Sequence, residues 1–145
     1  MQNQIKFDDP KVRIHQNGNI ELIEPWFIRY GHTWFEVPAG FVSDGNSVPW
    51  LFRWLVPKFG RNTIAGIAHD WLYHDGSVYW LDDQGNLTTS RKAITQRKAD
   101  IIRLDLCNWC GVWWIQRFCS YLGLRIGGWW QWRKARRYEA LCRRV

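Results

Sequence analysis

Ile64-Ala-Gly-Ile-Ala-His-Asp-Trp-Leu-Tyr73 is the stretch on which the reading of this chain turns. Ala65, Ala68 and Leu72 recur at the three- and four-residue spacing of one apolar face, which predicts a short helix. The small residues Ala65, Gly66 and Ala68 leave room for a second helix to come close. His69, Asp70 and Tyr73 fall into this apolar setting. Positions i and i+4 share a helix face, so His69 and Tyr73 point the same way. Asp70 lies about 100° further round and can serve a different ligand. A second helix is expected after Thr95-Gln-Arg-Lys-Ala-Asp100, capped by Thr95, with Ala99, Ile102, Leu106 and Trp109 turned inward. That helix can bring Asp100 against His69 and Tyr73. A histidine in an apolar helix is as often a satisfied core residue as a functional one; its neighbours favour function here.

Working outward toward the N-terminus, the pattern changes to β. Val12 and Ile14 alternate with polar residues, Asn17-Gly18 is a strong hairpin signal, and Ile20 and Leu22 resume the alternation. Trp26–Tyr30 and Thr33–Val37 form a second expected pair across Gly31-His32. The segment from Pro38 to Pro49 leaves regular structure. Within it, Asp44-Gly45 reads either as an ordinary turn or as oxygen donors for a hard cation such as calcium. Ser47 lacks the glycine context of a nucleophile elbow. A short helix is expected from Trp50 to Phe59.

Beyond Tyr73, His74-Asp-Gly76 closes the helix, and Val78–Leu81 with Leu87 across Asp82–Asn86 predicts a small hairpin. After the Asp100 helix, a further helical region starts near Val112 and is expected to bend or break at Gly123 and Gly127-Gly128. A last helix follows from Trp130 to Arg144. The whole is an α+β chain forming a single domain over residues 1–145: mainly β to 40, loop and short helix over 41–60, the helix pair with its hairpin over 61–110, and C-terminal helices from 111.

The 145 residues are enough to bury a core without staples, and 46% hydrophobic content with 12 tryptophans excludes a disordered chain. No signal peptide is recognisable, and Asp105, Asn108, Gln116 and Arg117 interrupt the best candidate for a membrane span. Cys107, Cys110, Cys119 and Cys142 read as packed free thiols rather than a zinc site. The net charge of +7 is concentrated at the C-terminus, where Arg133–Val145 carries six basic residues against Glu139. Trp129, Trp130 and Trp132 interleave there with Arg133, Lys134, Arg136 and Arg137. Such a segment suits an anionic membrane lipid or an acidic protein. Nucleic acid is the weaker expectation, because no recognised nucleic-acid motif accompanies the charge. The bland alternative is a helix with one aromatic face in the core and one solvated basic face.

Phe41-Val-Ser-Asp-Gly-Asn-Ser-Val-Pro49, Ala68-His-Asp-Trp-Leu-Tyr73 and Arg97-Lys-Ala-Asp100 together resemble a family of small bacteriophage and prophage proteins, the domain of unknown function DUF1353. A late segment, Tyr121–Trp129, is also similar, so the resemblance spans about residues 25 to 135. It implies a phage-encoded accessory protein, found in the host cytoplasm or the virion, and leaves the activity open.

A second resemblance is to the phospholipase A2 site in its short viral form: His-Asp-x-x-Tyr on one helix, Ala-Asp on another. It implies His69 as general base, Asp100 orienting it, Tyr73 holding Asp100, and Asp70 binding calcium with Asp44 and Gly45 from the loop. Histidine titrates near neutrality, and a carboxylate can fix its tautomer. The sequence departs from that pattern in its calcium loop, for which Gly40–Gly45 is the candidate, and in lacking the disulfide framework of secreted forms. The same residues also suit a different divalent metal, or a buried network that catalyses nothing in a phage interaction protein, such as a virion component or an inhibitor of a host system.

Overall fold

The structure, a computed structural model, describes residues 4–44 and 62–142 and has an α+β fold. The expected Trp50–Phe59 helix, Gly45 and Ser47 lie outside the described residues. Strand β1 is Ile5–Phe7, β2 Val12–Ile14, β3 Ile20–Leu22, β4 Trp26–Tyr30, β5 Thr33–Val37 and β6 Val42–Ser43. Helix α1 (Thr63–Asp75) leads into β7 (Ser77–Leu81) and β8 (Leu87–Ala93), followed by α2 (Gln96–Trp109) and α3 (Trp114–Cys142).

Alternation along the strands decides which face is buried. Trp26, Ile28 and Tyr30 point inward from β4, and Ile28 and Trp26 sit opposite Phe35 and Val37 of β5. The β4–β5 pair forms across Gly31-His32, as the sequence suggests, and β2 pairs with β3. The loop after Asn17 is longer than a two-residue turn: His15 N–H bonds the carbonyl of Asn19. Two strands, β1 and β6, are additions to the sequence reading.

The larger difference is that β7 pairs with β5, Trp34 opposite Tyr79 and Thr33 opposite Trp80. The hairpin between the helices therefore extends the N-terminal sheet to five strands in the order β1-β4-β5-β7-β8, beside a three-stranded sheet β2-β3-β6. The pairing buries no local apolar run that would announce it. It rests on long-range contacts such as the stack of Trp34 on Tyr79, with ring centres 4.6 Å apart.

Helix α1 is buried on most of its circumference, with Ala65, Gly66, Ile67, Ala68, His69, Leu72 and Tyr73 all enclosed. It packs against α2, α3 and β6. The sheets supply Ile20, Leu22, Ile28, Phe35 and Val37 to the same core. Helix α2 is capped as expected, the Thr95 hydroxyl accepting from Lys98 N–H at 3.2 Å. Ala99, Ile102 and Leu106 are enclosed, but Trp109 is not: it is 55% exposed and lies at the rim, against Phe7. As the last residue of α2 it has passed the end of the core.

Helix α3 runs unbroken through Gly123 and Gly127-Gly128, where a bend or break was expected. An interior glycine costs a helix about 1 kcal/mol but does not end it. At Gly128 the missing side chain has a use. A Cβ there would lie 2.6 Å from the Tyr73 hydroxyl oxygen, so only glycine lets α3 lie this close over α1.

Candidate functional site around His69

The three helices meet at Asp100, whose side chain is fully enclosed. Its Oδ1 lies 3.0 Å from His69 Nε2 and accepts from the Tyr73 hydroxyl at 2.7 Å. Its Oδ2 accepts from Arg125 of α3 at 3.1 Å. Gln96 Nε2 donates in turn to the Tyr73 oxygen at 3.2 Å. The helical spacing places His69 and Tyr73 on one face as expected, their ring centres 4.1 Å apart. Burial works to raise the Asp100 carboxyl, but hydrogen bonds from His69, Tyr73 and Arg125 outweigh it and hold it below the ordinary value. Burial and the nearby Asp100 push the Tyr73 phenol above its ordinary range.

An ionised Asp100 requires a proton on His69 Nε2 and leaves the Nδ1 lone pair as the ring's free acceptor. Burial is the main cause that lowers His69 to about 4, reinforced by the Arg103 charge and opposed by Asp100. The imidazole is therefore neutral at physiological pH. Its Nδ1 faces Asp70 Oδ1 at 4.0 Å, too far for a direct hydrogen bond.

Asp70 has partners of its own, as its place on the helix suggests. Ser43 of β6 donates to Oδ2 at 2.5 Å, and the Asp44 carboxylate lies beside it within hydrogen-bonding reach. Burial, with the like charge of Asp44, raises Asp70 to about 7 against the Ser43 hydrogen bond. Its side chain is 28% exposed, so this edge of the site opens outward. Asp44 and Asp70 are hard oxygen donors of the kind calcium takes, and a cation between them would relieve their repulsion. Among the described residues, no three His, Cys, Asp or Glu side chains converge as a metal cluster.

The seven aromatic and basic residues singled out near the C-terminus divide into two sets. Trp132 turns inward, edge-on to the Tyr73 ring with centres 5.2 Å apart. Arg136 also turns inward, donating to the carbonyls of Tyr73, His74 and Asp75 at 2.7, 2.7 and 3.0 Å. It caps the C-terminus of α1, where a positive charge complements the helix dipole. At that end Gly76 has a positive φ of 69°, and a Cβ would collide with the Arg136 guanidinium. Trp129, Trp130, Arg133, Lys134 and Arg137 stay on the outside. The thiols of Cys107, Cys110 and Cys119 are free; burial pushes Cys110 up to about 11, well away from a reactive thiolate.

Sequence reasoning missed Arg125, Gln96, Ser43 and the buried Arg103. Ser43 and Arg125 each stood within a stretch that carried the family resemblance, which was the available signal. Arg103 bonds Ser120 of α3 and gives no such sign.

No curated protein and no solved structure matches the chain. A family model described as "Protein of unknown function (DUF1353)" matches residues 20–124, which takes in α1, α2 and the first part of α3, and ends within the late segment Tyr121–Trp129. A match over this much of the sequence settles the family: the chain belongs to DUF1353.

Proposed function

We propose that this protein is a phage-encoded accessory hydrolase of the histidine–aspartate type, acting on a lipid or another ester with calcium as its cation. The observation that carries the reading is the two-sided setting of His69: Nε2 on the enclosed Asp100, Nδ1 toward the partly open Asp70. In this mechanism the neutral Nδ1 takes a proton from water as the water oxygen attacks the ester carbonyl. Asp100 stabilises the imidazolium through Nε2–H, and Tyr73 and Arg125 keep the carboxylate in position. The proton then passes to the departing alkoxide. Asp70 and Asp44, with Gly45 from the resemblance, would hold calcium, which supplies polarisation of the carbonyl when bound. The resemblance to phage and prophage proteins supports the accessory role, in the host cytoplasm or the virion.

The test is fatty-acid release from mixed anionic phospholipid micelles, with calcium and with chelator, by wild type and His69→Gln. The expected result is calcium-dependent release that falls by a factor of about 10² to 10⁴ in the variant. No release by the wild type under either condition overturns the phospholipase-like reading. The alternative, a non-enzymatic phage interaction protein, is favoured by one observation: Arg133 and Lys134 lie over the rings of the exposed Trp129 and Trp130. It requires that substituting these residues abolish function while His69 variants retain it.

A further inference from the structure

The inward side of α3 is fully committed. Arg125, Gly128, Trp132 and Arg136 all serve α1 or Asp100. The outward side is different. Trp114, Phe118, Leu122, Ile126, Trp129 and Trp130 stand 44% to 78% exposed. With about 100° between successive residues, Phe118, Leu122, Ile126, Trp129 and Trp130 fall within an arc of about 120°, which adjoins at Phe118 the arc of about 80° that holds Arg125, Gly128, Trp132 and Arg136; Trp114 lies in line with Trp132, toward the other end of the helix. Exposed aliphatic and aromatic side chains scattered singly need no explanation, but five in a continuous row do.

Charge indicates what the row meets. From Trp114 to Cys142 the sequence has a single acidic residue, Glu139, and that is paired with Arg136 at 2.7 Å. Arg133 and Lys134 lie 4.1 and 5.5 Å from the Trp129 and Trp130 ring centres, and Arg137 stands exposed beside them. Indoles carrying cations at the end of an apolar row suit the boundary between acyl chains and anionic headgroups. No helix among the described residues is long and apolar enough to cross a membrane. A helix of this kind lies in the plane of the surface instead.

We infer that the outer face of α3, from Phe118 to Arg137, docks on an anionic lipid surface. Phe118, Leu122 and Ile126 enter the acyl boundary, Trp129 and Trp130 sit at headgroup level, and Arg133, Lys134 and Arg137 meet the phosphates. The inference rests on this face alone and does not depend on the hydrolase reading.

The experiment is sedimentation of the full chain with vesicles in chelator, where calcium-dependent hydrolysis is off. One set is phosphatidylcholine alone; the other has equal parts phosphatidylcholine and phosphatidylglycerol. Binding to the anionic set is expected to be at least about tenfold tighter and to weaken with salt. Ile126→Glu should lower it by about tenfold or more, while circular dichroism and Tm stay as in the wild type because the side chain is exposed. A double variant, Arg133→Gln with Lys134→Gln, should remove the preference for anionic vesicles and leave the fold intact.

Equal binding to both vesicle sets, or none to either, overturns the inference. So does unchanged binding by both variants. Sedimentation equilibrium showing a dimer that Ile126→Glu dissociates also overturns it, since the face would then belong to a second copy. Hydrolysis of a short-chain monomeric ester, measured separately, isolates a failure of the surface from a failure of the His69 site.

Discussion

Two aspartates flank His69, and they are held in opposite ways. Asp100 is fully enclosed yet kept ionised, because His69, Tyr73 and Arg125 all donate to it. Asp70 is partly exposed yet raised to about 7, because burial acts on a carboxyl that has Ser43 as a donor and Asp44 as a like charge beside it. Burial acts on both carboxyls: three donors outweigh it at Asp100, and one donor beside a like charge does not at Asp70. One side of the imidazole is thereby a fixed anion and the other an adjustable one, an arrangement a hydrolytic base or a cation site can both use.

Removing the fixed side should have the largest effect. Asp100→Ala leaves Arg125 without its ion-pair partner at the site, and His69 and Tyr73 without their shared acceptor. A stability loss of about 3–5 kcal/mol is expected by denaturant titration. Asp100→Asn keeps the shape and should cost less. A loss under about 1 kcal/mol for Asp100→Ala would mean that the site is far less tightly built than its hydrogen bonds imply.

The next test breaks the clasp from the α3 side. Gly128→Leu forces a side chain toward the Tyr73 hydroxyl and Gln96, which a Cβ alone would already crowd. Overpacking of this kind costs about 1–3 kcal/mol. Gly127 has open space around the same construction, so Gly127→Ala should be neutral or slightly stabilising. Thermal melts of the two variants side by side check both. Equal effects would show that helix propensity, and not the approach to Tyr73, is being measured.

The contrast between local and long-range signals also explains what the sequence made legible. The Ala65–Tyr73 spacing, the Thr95 cap and the inward stripe of α2 are set by neighbours in the chain, so they could be read directly. So could the meeting of His69, Tyr73 and Asp100, because two amphipathic helices leave few ways for polar residues on apolar faces to be satisfied. The β5–β7 pairing could not, because Trp34 and Tyr79 meet across a wide sequence gap. Arg125 was hidden for a related reason: an arginine among leucines and glycines looks solvated until the opposing helix is placed. Gly127-Gly128 looked like a break because glycine usually reports backbone freedom. At Gly128 it reports a close contact instead.

The smallest expected effect, and the finest test of the comparison, is in the pH dependence. His69 has a folded pKa of about 4 against an ordinary 6.5, so its neutral form is the one the fold favours. Its contribution is present above about pH 6.5 and is lost as pH falls through 4. Asp70 runs the other way, with a folded value of about 7 against an ordinary 3.8. Its contribution is present below about pH 3.8 and is lost as pH rises through 7. Between about pH 4 and 6.5 the two slopes therefore oppose one another in the wild type. Asp70→Asn retains a donor toward Asp44 and an acceptor for Ser43 and does not ionise, so its stability should lie close to the wild type below about pH 3.8 and exceed it near pH 7. It should leave the His69 slope unopposed, with Tm climbing more steeply from pH 4 to 6.5 than in the wild type. His69→Gln should do the opposite, leaving a Tm that falls across the same interval as Asp70 ionises. Melts in chelator at half-unit pH steps read both slopes. If the two variants keep the wild-type profile, the two sides of His69 do not differ in the way their hydrogen bonds indicate.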